Sequence, residues 1–142
     1  MSESEEKGFS LIADVALFSE NGVLMVKYAN PEAYDGQTGW FLPDSSIKYL
    51  EHPDKAALRI LREQLSLDNV QPRLDHIESF RGNDGSWHLA FHYKVVLGGK
   101  PKLKNSKEIA IAQWFPLEAL PAKEDVAHLG WSLTTLKKMR QE

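Results

Sequence analysis

The chain has no cysteine among its 142 residues, which excludes disulfide bonds and thiolate zinc ligands. It also has no long apolar run, so neither a secretory signal peptide nor a membrane-spanning helix is predicted. Its 17 basic and 20 acidic residues give a net charge of −3, and no basic block marks a nucleic-acid surface. These absences predict a soluble cytoplasmic protein that binds neither membranes nor, with any strength, nucleic acid.

The composition that remains is that of one globular domain. Hydrophobic residues make up 42% of the chain and charged residues 26%, which is enough apolar material for a core at this length. Residues 1–8 are mostly polar, include three glutamates, and are predicted to form a disordered N-terminal tail. Residues 9–142 are predicted to form a single domain.

Strand patterns dominate this domain. Two β-rich runs, residues 10–18 and 22–28, flank a turn signal and predict a hairpin. Residues 74–80 and 87–97 predict a second hairpin around a glycine-containing turn. Residues 127–140 predict a C-terminal helix. The apolar side of that helix carries Leu129, Leu133 and Leu136. Strands combined with two helices predict an α+β fold.

The other helix is predicted from Pro53 to Leu65. Pro53 suits the first helical position, Asp54 complements the positive end of the dipole, and His52 is the predicted cap. The core-facing stripe consists of Ala57, Leu58, Leu61 and Leu65. The opposite, polar side carries Arg59, Arg62, Glu63 and Ser66. Ile60 fits neither side, so it either packs under a loop or replaces another kind of residue.

The segment from Ser45 to Leu67 resembles the Nudix box of the Nudix hydrolase superfamily, without a gap in spacing. That box has a Gly, a Glu, an Arg-Glu pair, a Glu-Glu pair and a second Gly at fixed intervals. Glu51 matches the first Glu, Arg59 the Arg, and Glu63 the first member of the Glu-Glu pair. The hydrophobic positions of the box are matched by Leu61 and Leu67.

The same segment departs from the box at four positions. Ser45 and Ser66 stand in place of Gly, Ile60 in place of the Glu after Arg, and Gln64 in place of the second paired Glu. Family members hold Mg²⁺ with these helix carboxylates, and the ions neutralise a diphosphate and activate water. Two of three helix carboxylates are therefore absent, and the resemblance implies a degenerate box that binds Mg²⁺ or Mn²⁺ weakly.

A second similarity lies near the end of the chain, where residues 114–121 resemble the late strand and turn of the family. Glu108, just before them, resembles a loop Glu that some members use as metal ligand or general base. The resemblance thus covers almost the whole chain. It implies the Nudix fold, a mixed β-sheet sandwiched between helices in an α/β/α arrangement.

The family resemblance also implies roles for individual residues. Glu63 and Glu108 are the implied catalytic residues and metal ligands. The residues implied to bind the cofactor are Glu51, Arg59 and Gln64. Each has a structural alternative: Glu63 can form a surface ion pair with Arg59, Glu51 can pin the loop to the helix through Arg59, and Glu108 can be a solvated loop charge.

The implied function is that of a divergent Nudix protein. It would bind a nucleoside diphosphate linked to another moiety and hydrolyse it weakly or atypically with Mg²⁺ or Mn²⁺. One variant is attack at a sugar carbon, as in the GDP-mannose hydrolase branch, which also has a hydrophobe after the box Arg. The alternative is a non-catalytic Nudix-fold module that binds a nucleotide or another protein. The sequence also leaves open whether the chain forms a homodimer.

The histidines carry no metal prediction. His76, His88, His92 and His128 lack the close helical spacing of a zinc site. His88 and His92 are four residues apart in a predicted strand, which places both on one face. The sequence favours a partly exposed sheet face for them.

Overall fold

The computed structural model describes residues 8–82, 85–99 and 101–140, so the predicted N-terminal tail lies outside it except for Gly8. Within these ranges the helices and longer strands lie where the sequence predicts them. In chain order the elements are β1 (Phe9–Ser19), β2 (Gly22–Tyr28), β3 (Asp44–Ser46), α1 (Pro53–Leu65), β4 (Arg73–Arg81), β5 (Trp87–Val96), β6 (Ile109–Phe115) and α2 (Ala127–Arg140). Neither helix is long and apolar enough to cross a membrane.

The strands form one mixed sheet in the order β4-β5-β1-β2-β6, and β3 pairs with β1. β1 runs parallel to β5 along ten residues and lies at the centre of the sheet. β1 and β2 form the predicted hairpin, but they pair only beside its turn, at Phe18 with Val23 and Ser19 with Gly22. Further along, β1 pairs with β3 instead. The segment that opens the box therefore occupies the gap between two diverging strands.

Each face of the sheet is covered by one helix. Odd-numbered residues of β1 such as Val15 pack in one core with Ile60 and Leu61 of α1. Ala16 packs in the other core with Leu136 and Met139 of α2. Because successive strand residues point to opposite faces, the unbroken apolar run of β1 fills both cores. The result is the predicted α/β/α sandwich.

α1 has the predicted start. The Nδ1 atom of His52 accepts a hydrogen bond from the backbone N–H of Asp54 at 3.1 Å, and Pro53 is the first helical residue. The helix ends at Ser66, whose φ of 55° is left-handed and whose N–H bonds back to the carbonyls of Arg62 and Leu61. A residue after a helix end in this conformation is usually Gly, which gives the second Gly of the box pattern a physical reason.

α2 starts irregularly. His128, Leu129 and Gly130 have φ values of 55°, 57° and 86°, so regular helical backbone begins only after them. The prediction that Leu129 lies on the apolar side is wrong, since 85% of it is exposed. The left-handed residues turn it out of the helical register. Leu133 and Leu136 do pack against the sheet, as predicted.

The hairpin turn gives a test of the fold. Gly22 has a φ of 110°, and a Cβ added there would lie 1.9 Å from the backbone oxygen of Phe115. We expect Gly22→Ala to lower the free energy of unfolding by about 3 kcal/mol or more, since strain and a backbone clash add. In Gly36→Ala, where φ is 71° but nothing lies within 4 Å, only strain remains and the loss should be about 1 kcal/mol. Equal losses in urea unfolding would contradict the close approach of β2 and β6.

Candidate functional site

The side chain of Arg59 ties α1 to the loop that precedes it. Its Nε and Nη2 atoms donate to the two carboxylate oxygens of Glu51 at 2.9 and 3.0 Å. Nη2 also donates to the carbonyl of Ser46 at 2.9 Å, and Nη1 donates to the hydroxyl of Ser45 at 3.3 Å. The predicted exposure of Arg59 is wrong because these partners leave only 10% of its side chain exposed. The pair pins the loop to the helix.

The electrostatics of this pair reach the other predicted site residues. The hydrogen bond from Arg59 lowers the pKa of Glu51 to about 2. The pKa of Arg59 is raised first by its hydrogen bond to Glu51, against the effect of burial, and further by the charges of Glu63 and Glu108. The Oε1 atom of Glu63 lies 3.8 Å from Nη1 of Arg59. Glu51 and Glu63 thus form ion pairs with one guanidinium, and Glu108 acts on it through its charge.

Gln64 is buried and fully engaged in the protein. Its Oε1 accepts from the hydroxyl of Tyr28 at 2.8 Å, and its Nε2 donates to the backbone carbonyl of Asp44 at 2.8 Å. The same hydroxyl accepts from the backbone N–H of Asp44 at 2.9 Å. Both ends of the amide therefore hold β2 and β3 against α1. The predicted role of Gln64 in cofactor binding stays a prediction.

Ile60 belongs to the core. Only 1% of it is exposed, and it packs in the same core as Ala57, Leu61 and Leu65. Of the three helix positions that carry Glu in the box pattern, only Glu63 has a carboxylate, and 49% of its side chain is exposed. At the box positions the helix therefore offers one accessible carboxylate.

Glu108 lies beside an aromatic pair that the sequence did not identify. The hydroxyl of Tyr34 donates to Oε2 of Glu108 at 3.5 Å. The rings of Tyr34 and Tyr28 stack with centroids 3.7 Å apart and planes within 5°. Tyr28 is 36 residues from Gln64 in the chain, so no local spacing could have indicated their contact.

A cavity of about 230 Å³ lies on the other side of the sheet. Its lining includes Lys27, Thr38, Gly39 and Asp125. Val26 and Tyr28 face α1, and Lys27, which lies between them on β2, therefore faces α2. The cavity therefore lies on the opposite face of the sheet from the box carboxylates of α1.

The chain matches the family model of the NUDIX domain over residues 9–134. No curated protein matches it. Its structure is similar to that of a MutT NUDIX hydrolase from Burkholderia pseudomallei, with a TM-score of 0.69 and 21% identity over 94% of this chain and 97% of that one.

Two further solved structures have the same fold. One is a bifunctional NMN adenylyltransferase/ADP ribose pyrophosphatase from Francisella tularensis, complexed with AMP and a Mn ion (TM-score 0.73, 16% identity, 94% of this chain and 42% of that one). The other is the dihydroneopterin triphosphate pyrophosphohydrolase of E. coli (TM-score 0.69, 14% identity, 92% of each chain). At these identities the similarity confirms the predicted Nudix fold.

The engaged amide of Gln64 gives one test. In Gln64→Glu a carboxylate oxygen replaces the Nε2 donor and faces the carbonyl of Asp44, so we expect the free energy of unfolding in metal-free buffer to fall by about 1–3 kcal/mol. The matched control is Gln113→Glu at an exposed position of β6, where a change within about 0.5 kcal/mol is expected. If both variants unfold alike in urea, the amide does not hold the strands.

The ion pair of Glu51 gives a second test, through pH. Its pKa is lowered from 4.5 to about 2 in the folded protein, so it stabilises the fold above pH 4.5 and loses that effect as pH falls towards 2. We expect the stability difference between the native chain and Glu51→Gln to be largest near neutral pH and to shrink between pH 4.5 and 2. A difference that stays constant across urea titrations in this range would contradict the pairing.

Proposed function

Because the chain belongs to the NUDIX domain family, we propose that it binds a nucleoside diphosphate linked to another moiety and hydrolyses it weakly or atypically. The observation that carries this proposal is the accessible carboxylate of Glu63 at a box position of α1, 3.8 Å from Arg59, with Glu108 close enough to act on Arg59 through its charge. We assign Glu63 and Glu108 as the metal ligands and catalytic groups. The cytoplasmic location predicted from the sequence is part of the same proposal.

The carboxylates of Glu63 and Glu108 fit one hard cation that is held mainly by the phosphates of the bound nucleotide. Mg²⁺ and Mn²⁺ prefer oxygen ligands, and Mg²⁺ usually takes one or two protein carboxylates with waters and substrate phosphates completing its coordination. Glu63 and Glu108 supply that number. Such an ion neutralises diphosphate charge and lowers the pKa of bound water. The positive charge of Arg59 beside Glu63 weakens cation binding, which supports weak rather than strong hydrolysis.

The remaining residues position these two carboxylates. The guanidinium nitrogens of Arg59 already bond to Glu51, Ser45 and Ser46. Arg59 therefore holds the loop in place and is also the ion-pair partner of Glu63. On the other side, Gln64 fixes Tyr28, Tyr28 stacks on Tyr34, and the hydroxyl of Tyr34 contacts Glu108. Gln64 thus helps to orient the carboxylate of Glu108 through Tyr28 and Tyr34.

A second candidate function is a non-catalytic module that binds a nucleotide or another protein. The burial of Ile60 and the engaged amide of Gln64 favour it, because neither position can complete a cluster of metal ligands. The two candidates differ in turnover: the module binds without producing cleavage products.

The test is calorimetric titration of Mn²⁺ and then ADP-ribose into the purified chain, with product analysis of the same samples. ADP-ribose is chosen because a similar structure is named for an ADP ribose pyrophosphatase. We expect binding and slow, Mn²⁺-dependent cleavage that falls on the order of 100-fold in Glu63→Gln, as for loss of a catalytic carboxylate. Glu20→Gln, in the exposed turn after β1, is the matched control and should keep the native rate.

The other outcomes are equally definite. Binding of ADP-ribose without cleavage would support the non-catalytic module. Cleavage that survives in Glu63→Gln would overturn the assigned ligand, and the absence of both Mn²⁺ and ADP-ribose binding would overturn the proposed site.

A further inference from the structure

A second group of metal-ligating side chains lies on the face of the sheet covered by α2. It consists of His76 and Glu78 on β4 and His92 on β5, whose ligand atoms all lie within 4.8 Å of one another. The expectation of a partly exposed face is wrong for His92, which is completely buried. No spacing along the chain indicates this site, because His76 and His92 meet as direct cross-strand partners on two different strands.

Each histidine is oriented by its own carboxylate. Nδ1 of His92 lies 2.7 Å from Oδ1 of Asp14, its neighbour on β1. Nδ1 of His76 lies 2.6 Å from Oδ2 of Asp75. Asp75 is the extra residue of a bulge in β4, which allows two successive side chains to meet. A carboxylate that accepts the Nδ1 proton leaves Nε2 as the free ligand atom, as in the carboxylate–histidine–zinc arrangement of metal sites.

The two Nε2 atoms converge on Glu78. Nε2 of His92 is 2.7 Å from Oε1 of Glu78, and Nε2 of His76 is 4.0 Å from the same oxygen. The Nε2 atom of His76 is buried and has no hydrogen-bond partner among the described residues. Buried polar atoms in folded proteins nearly always have one. A buried imidazole nitrogen without a partner, close to a carboxylate and a second imidazole, is the position of a ligand atom.

The surroundings suit a cation. Asp14, Asp75 and Glu78 bring three carboxylates to the group. The charge that opposes them is the ammonium of Lys138, which lies 3.6 Å from Oε2 of Glu78 and is half-exposed. It leaves Oε1 of Glu78 directed at the histidines. The ring of Trp131 from α2 packs edge-on against His92 at 5.5 Å and closes the inner side, whereas His76 and Glu78 keep about a fifth of their side chains open to solvent.

We propose that Nε2 of His76, Nε2 of His92 and Oε1 of Glu78 bind a divalent transition-metal ion of the Zn²⁺ class, at a site separate from the box. Zn²⁺ accepts two imidazoles and one carboxylate, whereas Mg²⁺ and Ca²⁺ prefer oxygen ligands over imidazole nitrogen. Tetrahedral Zn²⁺ places ligand atoms about 3.3 Å apart, from bonds of about 2.0 Å. The separations of 2.7 and 4.0 Å lie on either side of that value. A bound ion would replace the direct contact between His92 and Glu78 and would draw His76 inward.

The test is calorimetric titration of Zn²⁺ into the full chain, with Co²⁺ absorption spectra as a probe of tetrahedral coordination. We expect one Zn²⁺ per chain and an affinity at least about tenfold weaker in His76→Gln and in Glu78→Gln, since each loses a ligand or its charge. Both positions are partly open, so these variants avoid the buried His92. Zn²⁺ should also raise the unfolding temperature of the native chain more than that of either variant.

Two controls separate this site from others. His88→Gln changes a histidine on the same face of β5 that bonds to Ser86 and stacks on Phe80, and it should bind Zn²⁺ like the native chain. Glu63→Gln alters the box and should also leave Zn²⁺ binding unchanged, so failure of the proposed hydrolysis does not affect this test. Absence of stoichiometric Zn²⁺ binding, or native affinity in His76→Gln, would overturn the site.

Discussion

The bidentate ion pair between Arg59 and Glu51 is the interaction on which the rest of the box region depends. It lies at the junction of β3, the following loop and α1, and it is largely shielded from solvent. Breaking a buried pair of this kind typically costs about 3–5 kcal/mol, because the remaining charge is left without a partner. The guanidinium of Arg59, bonded to Glu51, Ser45 and Ser46, ties the loop before α1 to the helix.

In the family pattern the position of Gln64 carries a carboxylate that binds metal. In this chain the amide of Gln64 instead holds β2 and β3 against α1. An ionised carboxylate accepts hydrogen bonds but cannot donate them, whereas an amide both donates and accepts. Gln64 uses both functions, towards Asp44 and Tyr28. With Ile60 in the core, the helix keeps the spacing of the box while most of its metal-binding chemistry is replaced by packing and neutral hydrogen bonds.

The sequence predicts what is determined locally. The start of α1 follows from the cap at His52 and from Pro53, and the contact of Arg59 with Glu51 is the structural alternative that the sequence offers for Glu51. Features that arise from contacts across the sheet could not be predicted. These include the burial of Arg59, the contact of Tyr28 with Gln64 and the meeting of His76 with His92. The exposure of Leu129 has a different cause, since three successive left-handed residues override the helical period from which its burial was predicted.

The two candidate sites lie on opposite faces of the sheet and are connected through the pairing of β1 with β3. Val15 of β1 points into the core under α1, and Asp14 points to the α2 face, where it orients His92. Asp14 is paired with Asp44 of β3, and the backbone carbonyl of Asp44 accepts the hydrogen bond from Gln64. A shift of β3 relative to β1 would therefore disturb both the hydrogen bond from Gln64 to Asp44 and the contact between Asp14 and His92. The register of this short strand constrains both sites.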